Sequence, residues 1–306
     1  MRVSDRRTSG VRIDLRRAAG RGRPRGGFVI LVVAIGLASM APTAAPTAAP
    51  AAAAGGGAKA IVLGDSTAAG VGYPLVAAPS ALDRACRRSA DSYAVALGRL
   101  SHSSVRNLAC SGATIADGVL GSQKVGGQVV PPQLGVAEQT TGVSVVALSI
   151  GADDVGWSAV IELCALSQDC ADQAATDAFQ SNLTQFTDQY DDLLRQLTTL
   201  RGHPLVLVNM YYDPFGPDPR CLEPLGLTPA KVKVLVTDLN ALNAVLARGA
   251  QGFGFVPVHP NFSGHQVCSN QPDVQTMTSS APLHPTVSGA LRIARADEQA
   301  ISAHHR

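Results

Sequence analysis

The apolar residues of this chain fall into short runs separated by longer amphipathic stretches. AKAIVLGDS (58–66) is brief, apolar and ends in a glycine and polar residues, the pattern of a buried strand. SSVRNLAC (103–110) reads as a second, short strand. VSVVALSIGADD (143–154) is the strongest strand, with five apolar residues among its first six. HPLVLVNMYYDP (203–214) is another buried strand, stopped by proline, and GFGFVPVHP (252–260) is the last. Between these runs the period changes. SYAVALGRL (92–100) has helical spacing, and residues 175–200 set Phe179, Leu183, Phe186, Tyr190, Leu193, Leu194 and Leu197 along one helical stripe. Residues 229–250 predict a helix begun by Pro229 and followed by Gly252, and residues 285–305 a closing helix. Apolar strands alternating with helices predict an α/β fold with a parallel sheet covered on both faces. Ligands of such sheets sit beyond the carboxyl ends of the strands, so the residues that follow each strand are the ones to interrogate.

The first 57 residues follow a different pattern. Residues 1–27 hold nine arginines and two acids, and FVILVVAIGLASM (28–40) is wholly uncharged. A basic region before a short apolar one predicts a signal peptide over residues 1–40, and the Arg pairs leave twin-arginine export open. The apolar run is shorter than the ~20 residues a spanning helix needs, so no stable membrane span is expected after cleavage. Residues 41–57, rich in Ala, Pro and Gly, read as a linker, and residues 58–306 as one large domain. Removing residues 1–57 leaves 16 basic and 21 acidic residues, a net charge of −5. The basic balance of the whole chain therefore belongs to the export signal, and nucleic-acid binding has no support. All six cysteines (Cys86, Cys110, Cys164, Cys170, Cys221 and Cys268) lie after that signal. An even number in an exported chain predicts three disulfides, the close Cys164 and Cys170 suggesting a local bridge. The absence of a CxxC pair argues against zinc.

Each strand end offers a candidate group. Ser66, in Gly64-Asp65-Ser66, is either a helix cap or a nucleophile at a strand-to-helix turn. Gly112, in ACSGAT, is either a plain turn residue or a backbone donor to an oxyanion. Asp153 and Asp154 cap the following segment or belong to a site, with too few oxygen ligands nearby for a hard cation. His284 stands before Pro285 at the entry to the last helix, placed to take a proton from Ser66, with His259 and His265 as its rivals. The pocket walls are expected from residues 67–91, 115–142, 155–174 and 213–228, with Trp157, Tyr211 and Tyr212 able to line an acyl or sugar site.

Taken in order, GDS (64–66), CSGAT (110–114), IGADD (150–154) and HP (284–285) resemble the blocks of the SGNH (GDSL-type) serine esterase and lipase family. The resemblance covers roughly residues 58–300 and is strongest to its secreted actinobacterial branch, through CRRSADSY (86–93), PPQL (131–134) and the cysteine pattern. It implies a three-layer α/β/α fold with a flavodoxin-like doubly wound sheet, and sequential disulfides Cys86–Cys110, Cys164–Cys170 and Cys221–Cys268. It implies an extracellular, monomeric carboxylic ester hydrolase without cofactor or metal. It implies Ser66 as the nucleophile, His284 as the base, and an oxyanion hole formed by Ser66, Gly112 and Asp153. Two positions depart from the family. Asp153 replaces an Asn amide, so it either acts as a neutral acid or turns away. Ala281 stands where an Asp usually orients the histidine, so the Ala281 carbonyl is expected to accept from His284, with Asp273 as the alternative. The resemblance implies an ester substrate: a lipid, a small ester or an acylated glycan. Competing readings are a polysaccharide or cell-envelope deacetylase, and a non-catalytic lipid- or glycan-binding protein.

Overall fold

The computed structural model describes residues 59–170 and 173–305. The expected signal peptide and linker, residues 1–57, lie outside the described residues. Strand β1 (Lys59–Gly64) turns directly into helix α1 (Ser66–Ala69). Helices α2 (Ala81–Cys86) and α3 (Tyr93–Leu100) lead to β2 (Val105–Asn107). A hairpin of β3 (Gln123–Val125) and β4 (Gln128–Val130), then α4 (Gln133–Glu138), precede β5 (Val143–Ser149). Helices α5 (Trp157–Leu166) and α6 (Gln173–Leu197) connect β5 to β6 (Leu205–Asn209). A 3₁₀ turn (Arg220–Leu225) and α7 (Pro229–Gly252) lead to β7 (Val256–Val258), and α8 (Val287–His304) closes the domain.

The main sheet has the order β2-β1-β5-β6-β7, all parallel. Setting the hairpin aside, this is the doubly wound order expected for a flavodoxin-like sheet. Ile61, Val62 and Leu63 in β1, and Val146, Ala147 and Leu148 in β5, are fully buried, because both faces of a parallel sheet are covered. α3 packs on α8, while α5, α6 and α7 pack together. The α6 stripe read from the sequence is the buried one, from Phe179 to Leu197. The outer strands are shorter than their apolar runs: Val105–Asn107 of residues 103–110 and Val256–Val258 of residues 252–260 form the regular strands, although Leu108 N and Cys110 N still donate to Val62 and Gly64 of β1.

The disulfides are Cys86–Cys110, Cys164–Cys170 and Cys221–Cys268. The first ties the end of α2 to the turn after β2, and the third ties the 3₁₀ turn to the segment that precedes α8. Among the described residues, no helix is long and apolar enough to cross a membrane.

Candidate active site

The turn between β1 and α1 resolves the choice posed by GDS. Asp65, not Ser66, caps α1, its carboxylate accepting from Thr67 N at 2.8 Å. Ser66 is then the first helical residue and its hydroxyl is free for another partner. Gly64 has φ 142°, and a Cβ there would lie 2.0 Å from the Ser149 carbonyl oxygen of β5, so only glycine fits the end of β1. Gln133, the glutamine of PPQL, fixes the same residue: its Oε1 accepts from Gly64 N at 2.7 Å and its Nε2 donates to Gly64 O at 2.9 Å.

His284 Nε2 lies 2.8 Å from Ser66 Oγ, although 218 residues separate them. The backbone holds that distance from several directions. Residues 275 and 283–284 pair through Gln275 N to His284 O and Leu283 N to Gln275 O. The buried Gln275 side chain donates to Val71 O, just beyond α1, and to Pro285 O, bridging the two halves of the site. Leu283 has φ 62°, a left-handed conformation unusual for a branched residue, and its carbonyl accepts from Tyr212 Oη at 2.7 Å. Burial holds the His284 imidazole below its usual pKa, which keeps it neutral and able to take a proton.

Two carbonyls serve His284. Its Nδ1 lies 3.0 Å from the Pro282 carbonyl, and the expected Ala281 carbonyl also acts on the imidazole and accepts from the His284 backbone N–H. Asp273 does not reach His284. It is buried and pairs with Arg292 Nε, and its Oδ2 is 3.7 Å from His265 Nδ1. His265 is engaged there and with the Gln271 carbonyl, so it does not compete for Ser66.

The cleft around Ser66 and His284 has a volume of about 80 Å³. Ala152, Asp153, Trp157, Tyr211 and Tyr212 are among its walls. Thr67, Ile161 and Pro214 contribute from three of the four expected wall segments, whereas residues 115–142 contribute nothing. That stretch forms the hairpin and α4 and supports the site from behind through Gln133. Gly112 is also absent from the walls. It occupies the turn after β2 with φ 77°, beside Gly64 through the bond from Cys110 N to Gly64 O. Buried Arg88, from CRRSADSY, donates to the Ala109 and Leu108 carbonyls and steadies that turn.

The two tyrosines are braces more than wall linings. Tyr211 Oη donates to Asp65 Oδ2 at 2.5 Å and accepts from Ala152 N at 2.9 Å, linking the first and third blocks. Tyr212 stacks on Phe262 with ring centroids 4.0 Å apart. Three carboxyl groups meet here. Burial, reinforced by the charge of Asp153, pushes Asp65 up to about 8, and burial pushes Asp153 and Asp154 up to about 6. Asp154 Oδ1 accepts from Ile115 N at 2.8 Å, fixing the loop after β2 to the loop after β5. Among the described residues, no group of three or more His, Cys, Asp and Glu side chains is arranged to hold a metal ion.

Comparison with known proteins agrees with this arrangement. Residues 62–292 match the GDSL-like Lipase/Acylhydrolase family. A lipase from Streptomyces rimosus is 28% identical over 236 residues, 75% of this chain and 81% of that protein. Lipase 1 from Streptomyces coelicolor is 30% identical over 238 residues, again 75% of this chain and 81% of the relative. The crystal structure of the extracellular lipase from Streptomyces rimosus superposes with a TM-score of 0.64 at 25% identity, over 79% of this chain and 99% of that one. The chain therefore belongs to the GDSL-like lipase/acylhydrolase family, in its secreted actinobacterial branch, and is a carboxylic ester hydrolase.

Proposed function

We propose that the protein is an exported serine ester hydrolase that works through a Ser66–His284 dyad, with the imidazole oriented by the Pro282 carbonyl. The observation that carries this reading is the 2.8 Å contact between His284 Nε2 and Ser66 Oγ at the carboxyl end of the sheet. Pro282 O, 3.0 Å from Nδ1, selects the tautomer with the proton on Nδ1, which leaves Nε2 as the base. His284 takes the Ser66 proton as the oxygen attacks the ester carbonyl, then gives it to the leaving alcohol. Water hydrolyses the acyl-enzyme by the same relay in reverse. The oxyanion faces the Ser66 N–H, which at the first helical position has no intrahelical acceptor, with Asp153 on the same cleft wall; Gly112 stands behind that wall, in the turn after β2. Export is supported by the basic and apolar pattern of residues 1–40, by three disulfides and by the extracellular lipase among its relatives.

A dyad oriented by a backbone carbonyl makes a specific demand on Asp273. Asp273→Asn is expected to keep kcat for a short-chain phenyl ester within about threefold at 25 °C, because no step uses that carboxylate. The variant should melt earlier, since Arg292 loses its buried partner. A drop of ~10⁴ in kcat, the size seen when a triad acid is neutralised, would replace Pro282 by Asp273 as the orienting group.

A further inference from the structure

We propose that Asp153 acts as a neutral carboxylic acid that donates a hydrogen bond to the ester oxyanion, which makes this hydrolase most active on the acid side of neutrality. The inference rests on the Ser66–His284 reading and adds to it a proton that must be present for full rate.

The position comes first. Asp153 shares the cleft wall with Ser66 and His284, where the family resemblance places an amide donor. A carboxylate there would face the developing negative charge with nothing to donate, whereas a carboxylic acid carries one O–H donor. The local hydrogen bonding comes second. Asp153 Oδ2 is buried and has no hydrogen-bond partner among the described residues. Asp65 accepts from Thr67 N and Tyr211 Oη, whereas Asp154 accepts from Ile115 N through Oδ1 and, like Asp153, has a buried Oδ2 without a partner among the described residues. A buried carboxyl without donors gains least from being charged. Asp153 as a residue lines the cleft, while this solvent-shielded oxygen has nothing beside it that would stabilise a negative charge.

The electrostatic surroundings come third. The groups facing Asp153 are Asp65 from the turn after β1, Asp154 from its own loop, Tyr211 and Tyr212 from the loop after β6, and His284 from the segment before α8. Arg87 acts on His284 from outside, and Asp153 makes no ion pair among the described residues. Closely spaced carboxyl groups cannot all ionise cheaply in a buried cluster. Burial raises Asp153 to about 6 and lowers His284 from its ordinary value. The two shifts run in opposite senses, so together they favour a protonated Asp153 beside a neutral His284. No proton is consumed at Asp153: it donates a hydrogen bond and keeps the proton, while the Ser66 proton travels through His284 to the alcohol.

The test is the pH dependence of kcat/KM for a short-chain phenyl ester in the unmodified protein, Asp153→Asn and Asp154→Asn. The unmodified protein should lose activity above an apparent pKa near 6, falling ~10²-fold by pH 8, as one proton is titrated off. Asp153→Asn carries an uncharged donor at every pH, so its alkaline fall should vanish and its rate at pH 8 should exceed that of the unmodified protein by ~10²-fold. Asp154→Asn should keep the fall. A flat profile from pH 6 to pH 8.5 in the unmodified protein, which needs no variant to fold, overturns the inference. So does an Asp153→Asn profile that keeps the alkaline fall. Activity that needs Ser66 yet ignores pH sinks this inference alone, whereas activity surviving in Ser66→Ala sinks the reading beneath it.

Discussion

Ser66→Ala should lower the turnover of a short-chain phenyl ester by ~10⁴-fold or more while leaving the fold in place. The size follows from what Ser66 does in the proposed relay. Without Oγ there is no acyl-enzyme, and His284 can only activate water in a cleft shaped for another path. The structural cost is small. Asp65, not Ser66, caps α1, and the Ser66 hydroxyl has the His284 ring as its partner. Losing one such hydrogen bond costs about 1 kcal/mol, or roughly 2–4 °C in melting temperature for a domain of this size. The measurement is kcat beside a thermal melt of the same sample. A variant that melts normally and retains more than about a tenth of the rate would remove Ser66 from the mechanism.

The second large effect concerns stability. Cys221→Ser with Cys268→Ser should destabilise the domain by ~4 kcal/mol, the loop-closure value for a bridge spanning 47 residues. The location adds a functional consequence. Between β7 and α8 the chain runs from residue 259 to residue 286 without a regular element. That stretch is held by the Cys221–Cys268 bridge, by the Asp273–Arg292 pair, by the Tyr212–Phe262 stack and by Gln275. It ends in His284. Removing the bridge loosens the segment that sets the 2.8 Å contact with Ser66. Activity should therefore fade at temperatures several degrees below the global melt, a gap read by comparing the two curves. Coincident curves would mean that the other three ties suffice to hold His284.

How much of this was legible depended on whether the physical cause was local. β1 and β5 were plain because strands buried on both faces are apolar at every position, and the Phe179–Leu197 stripe because a long helix repeats its buried face. Strand ends were overdrawn at β2 and β7, where the runs extend beyond the regular ladder, at β2 past Asn107 and at β7 ahead of Val256. α5 escaped because WSAVIELCAL is apolar nearly all round and has no stripe, and the hairpin β3–β4 because its strands are three residues each. At the site, Ser66 and His284 were visible from their places after a strand and before a helix. The groups that aim them were not. Gln133 reaches Gly64 across 69 residues, Tyr211 reaches Asp65 across 146, and Gln275 reaches Val71 across 204. Such side chains leave no spacing to read. The Ala281 carbonyl was expected at the ring, but the nearer Pro282 carbonyl was not, because any residue supplies a carbonyl and only the turn decides which ones face the imidazole.

The central claim is that Ser66 is a nucleophile activated by His284. The most direct measurement is labelling of the folded protein with a fluorophosphonate, followed by mass spectrometry of its peptides. The account predicts one adduct per chain, on Ser66, formed by the folded protein and lost in His284→Ala. A protein that hydrolyses esters yet takes no adduct, or takes it at another serine, would contradict it.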